Sequence, residues 1–184
     1  MDLGLHGKRA VIAGGSAGLG LAVAKELAAE GADVAILSRS PDRVAAAHRE
    51  VDGVGPGRVQ NSALDARDTD AVRRFVDDVA VSFGGVDIVL ANAGGPPLGT
   101  ATEVSLADYR DALELNLLSS IGIVQAVLPH MQRTGWGRVR FVTSISAKQP
   151  VANLALSNTA RAGVLGYAKS LVAALTRSYV PCDA

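Results

Sequence analysis

The sequence predicts an α/β fold, a doubly wound parallel sheet in the strand order 3-2-1-4-5 with helices on both faces. Three observations carry that expectation. Short β-branched runs alternate with helical patterns, and parallel strands joined by right-handed helical crossovers meet such alternation. The first apolar run passes straight into a helix through a glycine-rich loop, the junction at which doubly wound sheets hold their ligands. A chain of 184 residues, 48% hydrophobic, suits a single domain with a sizeable core, and no internal repeat, low-complexity tract or linker marks a second.

Arg9 to Ala13 reads as the first strand. It leads into Ala13-Gly14-Gly15-Ser16-Ala17-Gly18-Leu19-Gly20, whose glycines at 14, 18 and 20 permit a sharp turn into a helix from Gly18 to Ala29, ended by Gly31. The N–H groups and dipole of that helix start attract a dinucleotide phosphate, although the spacing Gly-x3-Gly-x-Gly also serves a tight turn with no ligand. Asp33 to Leu37 is the second strand, followed by a helix over Pro41 to Val51 with proline near its first turn. Arg58 to Leu64 is the third strand, and Asp68 caps the next helix, which Gly84-Gly85 stops after Phe83. Val86 to Ala91 and Arg138 to Thr143 are the fourth and fifth strands, and all five read as buried. A long helical region runs from Ser105 to Arg133, with a break near Asn116, and another from about Ala155 to Thr176.

Charge and cysteine content narrow the function. Lys plus Arg equals Asp plus Glu at 18 each, without blocks of like charge, so neither nucleic acid nor a membrane surface is the expected partner. Cys182 is the single cysteine, and His6, His48 and His130 share no metal-ligand spacing with it, so no metal site is expected. No stretch reads as the roughly 18 apolar residues of a membrane span. A reducing, cytoplasmic setting fits this composition.

Later motifs fall in register with the glycine loop. Asn92-Ala93-Gly94 follows the fourth strand, Asn116 lies within Leu115-Asn116-Leu117, and Gly137 to Ser144 builds a fifth strand ending in serine. From about Leu5 to about Ala173 the chain resembles the short-chain dehydrogenase/reductase family, particularly its ketoacyl-reductase-like members. The resemblance implies a Rossmann-like three-layer αβα domain that binds NAD(P)(H) and moves hydride between the cofactor and a small carbonyl or alcohol substrate. It also implies homo-oligomers paired through the two long helices.

The cofactor residues follow from the resemblance position by position. Gly14, Ser16, Gly18, Leu19 and Gly20 would hold the pyrophosphate, with Ala13 replacing the family's usual threonine. Ser38-Arg39 occupies the place that selects between the ribose and its 2′-phosphate. Arg39 favours NADP over NAD, because guanidinium grips phosphate. A solvated arginine entering the next helix is the alternative there. Asp65 would meet the adenine amino group with Ala66 offering backbone, or would only support the following turn. Asn92 and Gly94 would line the adenosine side.

The catalytic set departs from the family. Asn116 and Ser144 match, but the family's Tyr-x-x-x-Lys falls on Ser157-Asn158-Thr159-Ala160-Arg161, so serine replaces the tyrosine acid and arginine the lysine. Tyr167 and Lys169 point to different helix faces over two turns further on and cannot stand in. A serine hydroxyl is a far weaker acid and shorter than a phenol, and Arg161 cannot donate a proton at neutral pH. Loss of a positioned acid costs about 10²–10⁴-fold in rate, about 3–5 kcal/mol of barrier. Asn116 could instead satisfy a helix irregularity, and Ser144 could simply end a strand. The expected function is a 3-oxoacyl-reductase-like oxidoreductase of weak or atypical activity, with an inactive dinucleotide-binding module or fragment as the alternative. The family's sixth and seventh strands and substrate lid find no match. Residues 1–176 therefore read as a C-terminally incomplete domain, residues 177–184 as a tail without family likeness, and the fifth strand as an open edge.

Overall fold

The computed structural model describes residues 3–175 and the backbone of Cys182–Asp183. Strands β1 (Arg9–Ala13), β2 (Asp33–Ser38), β3 (Val59–Ala63), β4 (Ile88–Ala91) and β5 (Arg138–Phe141) lie parallel in the order β3-β2-β1-β4-β5, as the alternation predicts. The open edge expected at β5 is corrected. Strand β6 (Cys182–Asp183) pairs parallel with it, placing Cys182 beside Val139 and Asp183 beside Arg140. Two residues are too short to leave an apolar pattern in the sequence. The buried reading of β3 is corrected as well. Its residues Gln60, Asn61 and Ser62 are half-exposed because the strand has a neighbour on one side only.

Successive residues of a strand face opposite sides of the sheet, and the core divides accordingly. Val11, Val89 and Val139 point to one side, where they meet Val72 and Val76 of α3 (Thr69–Phe83), Ile123 and Val127 of α5 (Ser119–Thr134), and Val164 and Leu171 of α6 (Ala155–Leu175). Ala10, Ile12, Ile36 and Leu90 point to the other, against Ala24 and Ala28 of α1 (Gly18–Ala29) and Val44 and Val51 of α2 (Pro41–Asp52). Helix α4 (Leu106–Leu113) opens with a capping box between Ser105 and Asp108, and Asp68 caps α3 by accepting from the Ala71 N–H at 2.9 Å.

The break foreseen near Asn116 is a π-helical turn, Glu114–Leu118, that joins α4 to α5. Its carbonyls are served by side chains one turn on: Ser119 Oγ donates to Leu115 O and Ser120 Oγ to Asn116 O. The whole stretch Leu106–Thr134 is long and apolar enough to cross a membrane by length and composition, which corrects the expectation that no such stretch exists. Ile123, Val124, Val127 and Met131 of this stretch are fully buried against the sheet and its neighbouring helices.

The amino ends of the strands are tied by charge. Buried Asp87 receives Arg9 Nε at 2.6 Å and Nη2 at 2.7 Å, holding the Arg9 pKa above its ordinary value. Nearby Trp136, the chain's one tryptophan, lies with Lys8 Nζ 3.9 Å from its ring centroid and the Arg138 guanidinium carbon 4.7 Å away.

Candidate functional site

At the carboxyl ends of β1, β2, β3 and β4 the described residues enclose a groove of about 220 Å³. It straddles β1 and β4, where the strand order reverses and the crossovers diverge, the position at which such sheets bind ligands. Gly14, Ser16, Ser38, Arg39, Asp65, Ala66, Asn92 and Gly94, all foreseen from sequence, line it together. Gly18, Leu19 and Gly20 stand beside it in the first turn of α1 rather than in its wall. Ala17, Leu37, Arg43, Leu64, Ala93 and Leu115 complete the lining and were not foreseen; Arg43 reads in the sequence as an ordinary solvated helix residue.

Steric limits explain the glycine loop. A Cβ on Gly20 would overlap the Gly14 carbonyl, and one on Gly14 would come within 2.8 Å of Asn92 Nδ2. Gly14 and Gly18 have φ of 61° and 54°, left-handed backbone that glycine adopts at no steric cost. No side chain caps α1, no acidic residue occupies its first turn, and nothing lies within 4 Å of a Cβ built on Gly18. The helix therefore presents uncapped N–H groups on an open flank, and these fit a phosphate. Ser16 Oγ and Ser38 Oγ, 2.7 Å apart, fasten the loop to the end of β2.

The charged residues of the groove stand in distinct states. Asp65 accepts from Arg67 Nη2 at 2.6 Å, from Nε at 3.1 Å and from the backbone N–H at 3.0 Å. That hydrogen bonding, chiefly from the Arg67 side chain, holds the Asp65 carboxyl below the usual carboxylate range. The side chains of Arg39 and Arg43 form no salt bridge with a described residue, although the Arg39 charge also favours the ionised Asp65 carboxyl.

None of the four catalytic candidates lines the groove, although Asn116 and Arg161 reach carbonyls of its wall at Gly94 and Ala93. Asn116 is 0% exposed, and its Nδ2 donates to Gly94 O at 2.7 Å. Arg161 is 7% exposed; its Nη1 donates to Val142 O, and its Nη2 lies 3.4 Å from Ala93 O. Burial lowers the Arg161 pKa, and no carboxylate among the described residues pairs with it. Ser144 Oγ accepts from Ser146 N at 3.2 Å and starts a single 3-10 turn over Ile145–Ala147. Ser157 is half-buried in the first turn of α6, and its side chain bonds to no described residue. The buried Asn116 Oδ1 and Ser146 Oγ have no hydrogen-bond partner among the described residues.

One tie across the cleft left no sequence signal. Gly99 N donates to Asn153 O at 2.8 Å and Ala155 N to Gly99 O at 3.2 Å, clasping the loop after β4 to the start of α6. Asn153 takes a left-handed φ of 59° to do so.

A family model described as short chain dehydrogenase matches residues 8–183. Among curated proteins, 2-dehydro-3-deoxy-L-rhamnonate dehydrogenase (NAD(+)) of Sphingomonas sp. is 32% identical over 169 residues, which cover 90% of this chain and 65% of that one. Ketoacyl reductase HetN of Nostoc sp. is 31% identical over 161 residues, covering 88% of this chain and 56% of that one. The chain thus spans less than two thirds of the length of either relative. Among solved structures, L-sorbose reductase of Gluconobacter frateurii, complexed with NADPH and L-sorbose, matches with a TM-score of 0.94 at 32% identity over 99% of this chain and 70% of that one. A short chain dehydrogenase of Mycobacterium paratuberculosis bound to NAD matches with a TM-score of 0.92 at 27% identity over 96% and 70%.

Proposed function

The chain belongs to the short-chain dehydrogenase family, and from that membership we propose that it is an NAD(P)(H)-dependent oxidoreductase moving hydride between NADP(H) and a small carbonyl or alcohol, 3-oxoacyl-reductase-like and atypical in its acid. The observation that carries this reading is the groove itself, where an uncapped helix start and free arginines converge at the point of strand-order reversal. Gly14, Ser16, Gly18, Leu19 and Gly20 hold the pyrophosphate, Ser38 and Arg39 the 2′-phosphate, Asp65 and Ala66 the adenine, and Asn92 and Gly94 the adenosine wall.

A bound nicotinamide dinucleotide supplies or accepts the hydride. The chain's part is to place the substrate and manage one proton. Ser144 orients the substrate oxygen, and Asn116 and Arg161 fix the carbonyls beneath it. Reduction of a carbonyl would leave its oxygen needing a proton, and supplying that proton would be the chain's task. Ser157 is too weak an acid to lead that transfer and Arg161 stays protonated, so water delivers the proton and turnover is slow.

A second reading, a dinucleotide-binding module without turnover, is favoured by one observation: Arg161 is committed to backbone carbonyls while Ser157 stands without a partner. Under either reading the protein works in the cytoplasm on a small molecule, without nucleic acid or membrane. It assembles as a homo-oligomer through its two long helical regions, where Leu118 and Val172 are 42% and 45% exposed.

Titration of the chain with NADPH and NADH by cofactor fluorescence, followed by a screen of carbonyl substrates, separates the readings. Binding with slow turnover supports the oxidoreductase, binding with none selects the module, and failure to bind either dinucleotide rejects both. NADPH should bind more tightly than NADH, and Arg39→Asp should reverse the order; equal affinities in the unaltered chain overturn the NADP assignment.

A further inference from the structure

We infer that the groove serves the adenosine diphosphate half of the cofactor alone: the nicotinamide half finds no side chain to hold it among the described residues, so a nucleotide that ends at the pyrophosphate binds as tightly as the whole dinucleotide. The inference rests on the dinucleotide reading above and names the ligand class that the same site takes.

A doubly wound sheet holds a dinucleotide across its crevice, one mononucleotide on each side of the strand-order reversal. Here the two sides are unequal. Every residue lining the groove lies at or just beyond the carboxyl ends of β1 to β4, in the first turn of α2 or at Leu115 of the π-helical turn; none follows β5 and none belongs to α6. The volume of about 220 Å³ falls below the roughly 300–1,000 Å³ usual for a small-molecule site. Half a dinucleotide suits such a space better than a whole one.

On the β5 side the polar side chains are committed elsewhere or short. Arg161 is buried and donates to Val142 O and Ala93 O, and Asn116 is buried with its Nδ2 on Gly94 O. Turning the guanidinium to a ribose would strip both of its carbonyls of a donor. Ser144 Oγ, which accepts from Ser146 N, and Ser157 Oγ are single uncharged hydroxyls on short stems, and neither lines the groove. Lys148, exposed at the end of the 3-10 turn, lies outside the lining as well.

The size of the effect follows from linkage. Two halves that each bind gain about 10²–10⁴-fold in affinity when they are joined. A half without contacts adds nothing, and ordering it costs freedom.

Calorimetry on the full chain compares NADPH, 2′-phosphoadenosine 5′-diphosphate and nicotinamide mononucleotide. NADPH should bind no more than about threefold more tightly than the diphosphate. The diphosphate should displace NADPH from the same site, and the mononucleotide should give no binding heat at millimolar concentration. Arg161→Gln should move the ratio of the NADPH and diphosphate affinities by less than about twofold, because the guanidinium holds neither ligand, and far-UV circular dichroism confirms that this variant is folded. If NADPH binds the unaltered chain about tenfold or more tighter than the diphosphate, if the mononucleotide binds by itself, or if Arg161→Gln weakens NADPH and spares the diphosphate, the inference is overturned and the dinucleotide reading stands. If the unaltered chain binds neither NADPH nor the diphosphate, both are overturned.

Discussion

Arg161 and Asn116 hold neighbouring carbonyls of one turn: Arg161 Nη2 lies 3.4 Å from Ala93 O, and Asn116 Nδ2 lies 2.7 Å from Gly94 O. Two helices thus brace the segment after β4 that forms part of the groove wall. Arg161→Met should destabilise the fold by about 1 kcal/mol, since it strands two half-buried acceptors, and urea unfolding measures the loss. Arg161→Lys should recover only part of it, because one ammonium cannot span the two carbonyls as the guanidinium fork does.

Ser157 should matter little to any turnover. Without a partner its hydroxyl keeps an alcohol's acidity, so Ser157→Ala should change kcat by less than about threefold, against the 10²–10⁴-fold expected of a positioned acid. A larger drop in kcat at unchanged cofactor affinity would identify the serine as a working acid.

Gly20→Ala should disrupt the loop, because the added methyl meets the Gly14 carbonyl rather than a movable side chain. The expected cost is about 2 kcal/mol, together with the loss of NADPH binding. Gly94→Ala is the contrast: its Cβ would meet nothing, and thermal unfolding should be unchanged.

Asp87 should be among the most sensitive positions for stability. Its buried carboxylate takes the Arg9 backbone N–H at 3.0 Å and two guanidinium nitrogens, so Asp87→Ala leaves a half-buried arginine without its counter-charge. A loss of about 3 kcal/mol in chemical denaturation is expected.

The Asp65–Arg67 pair should make a pH-dependent contribution. Arg67 holds the folded Asp65 carboxyl below its unfolded value near 4, so the pair stabilises fully above that value and fades as the pH falls through the lower folded one. Both partners are partly exposed, and the effect at pH 7 should be about 0.5 kcal/mol. Asp65→Asn should lose that amount at pH 7, and the difference from the unaltered chain should shrink toward pH 2.

Most of the fold was legible because its signals are local. The apolar runs of β1, β2, β4 and β5, the caps at Asp68 and Gly84 and the glycine loop each declare themselves within a few residues. The edge position of β3 is written in the polar run Gln60-Asn61-Ser62, which a strand buried on both faces does not carry. In the site, Gly14, Ser16, Ser38, Arg39, Asp65, Ala66, Asn92 and Gly94 line one groove, whereas Asn116, Ser144, Ser157 and Arg161 lie outside its lining. What the sequence concealed is how the side chains are used. Asn116 and Arg161 reach carbonyls 22, 19 and 68 residues away in sequence. Arg67 claims Asp65 through a rotamer choice, and the Gly99–Asn153 clasp is backbone meeting backbone, without any side-chain signature.

Trp136, with the Lys8 and Arg138 cations over its ring, gives the chain a spectroscopic channel of its own. As the single indole it emits without overlap from another, and it sits at the amino end of β5 while the groove opens at the carboxyl ends of the sheet. Unfolding unstacks the ring into water and shifts its emission to the red, whereas a nucleotide seated in the groove leaves the wavelength of that emission in place. Colour therefore reports folding and the cofactor's own fluorescence reports occupancy, so a variant that has lost its ligand can be told in one cuvette from a variant that has lost its structure.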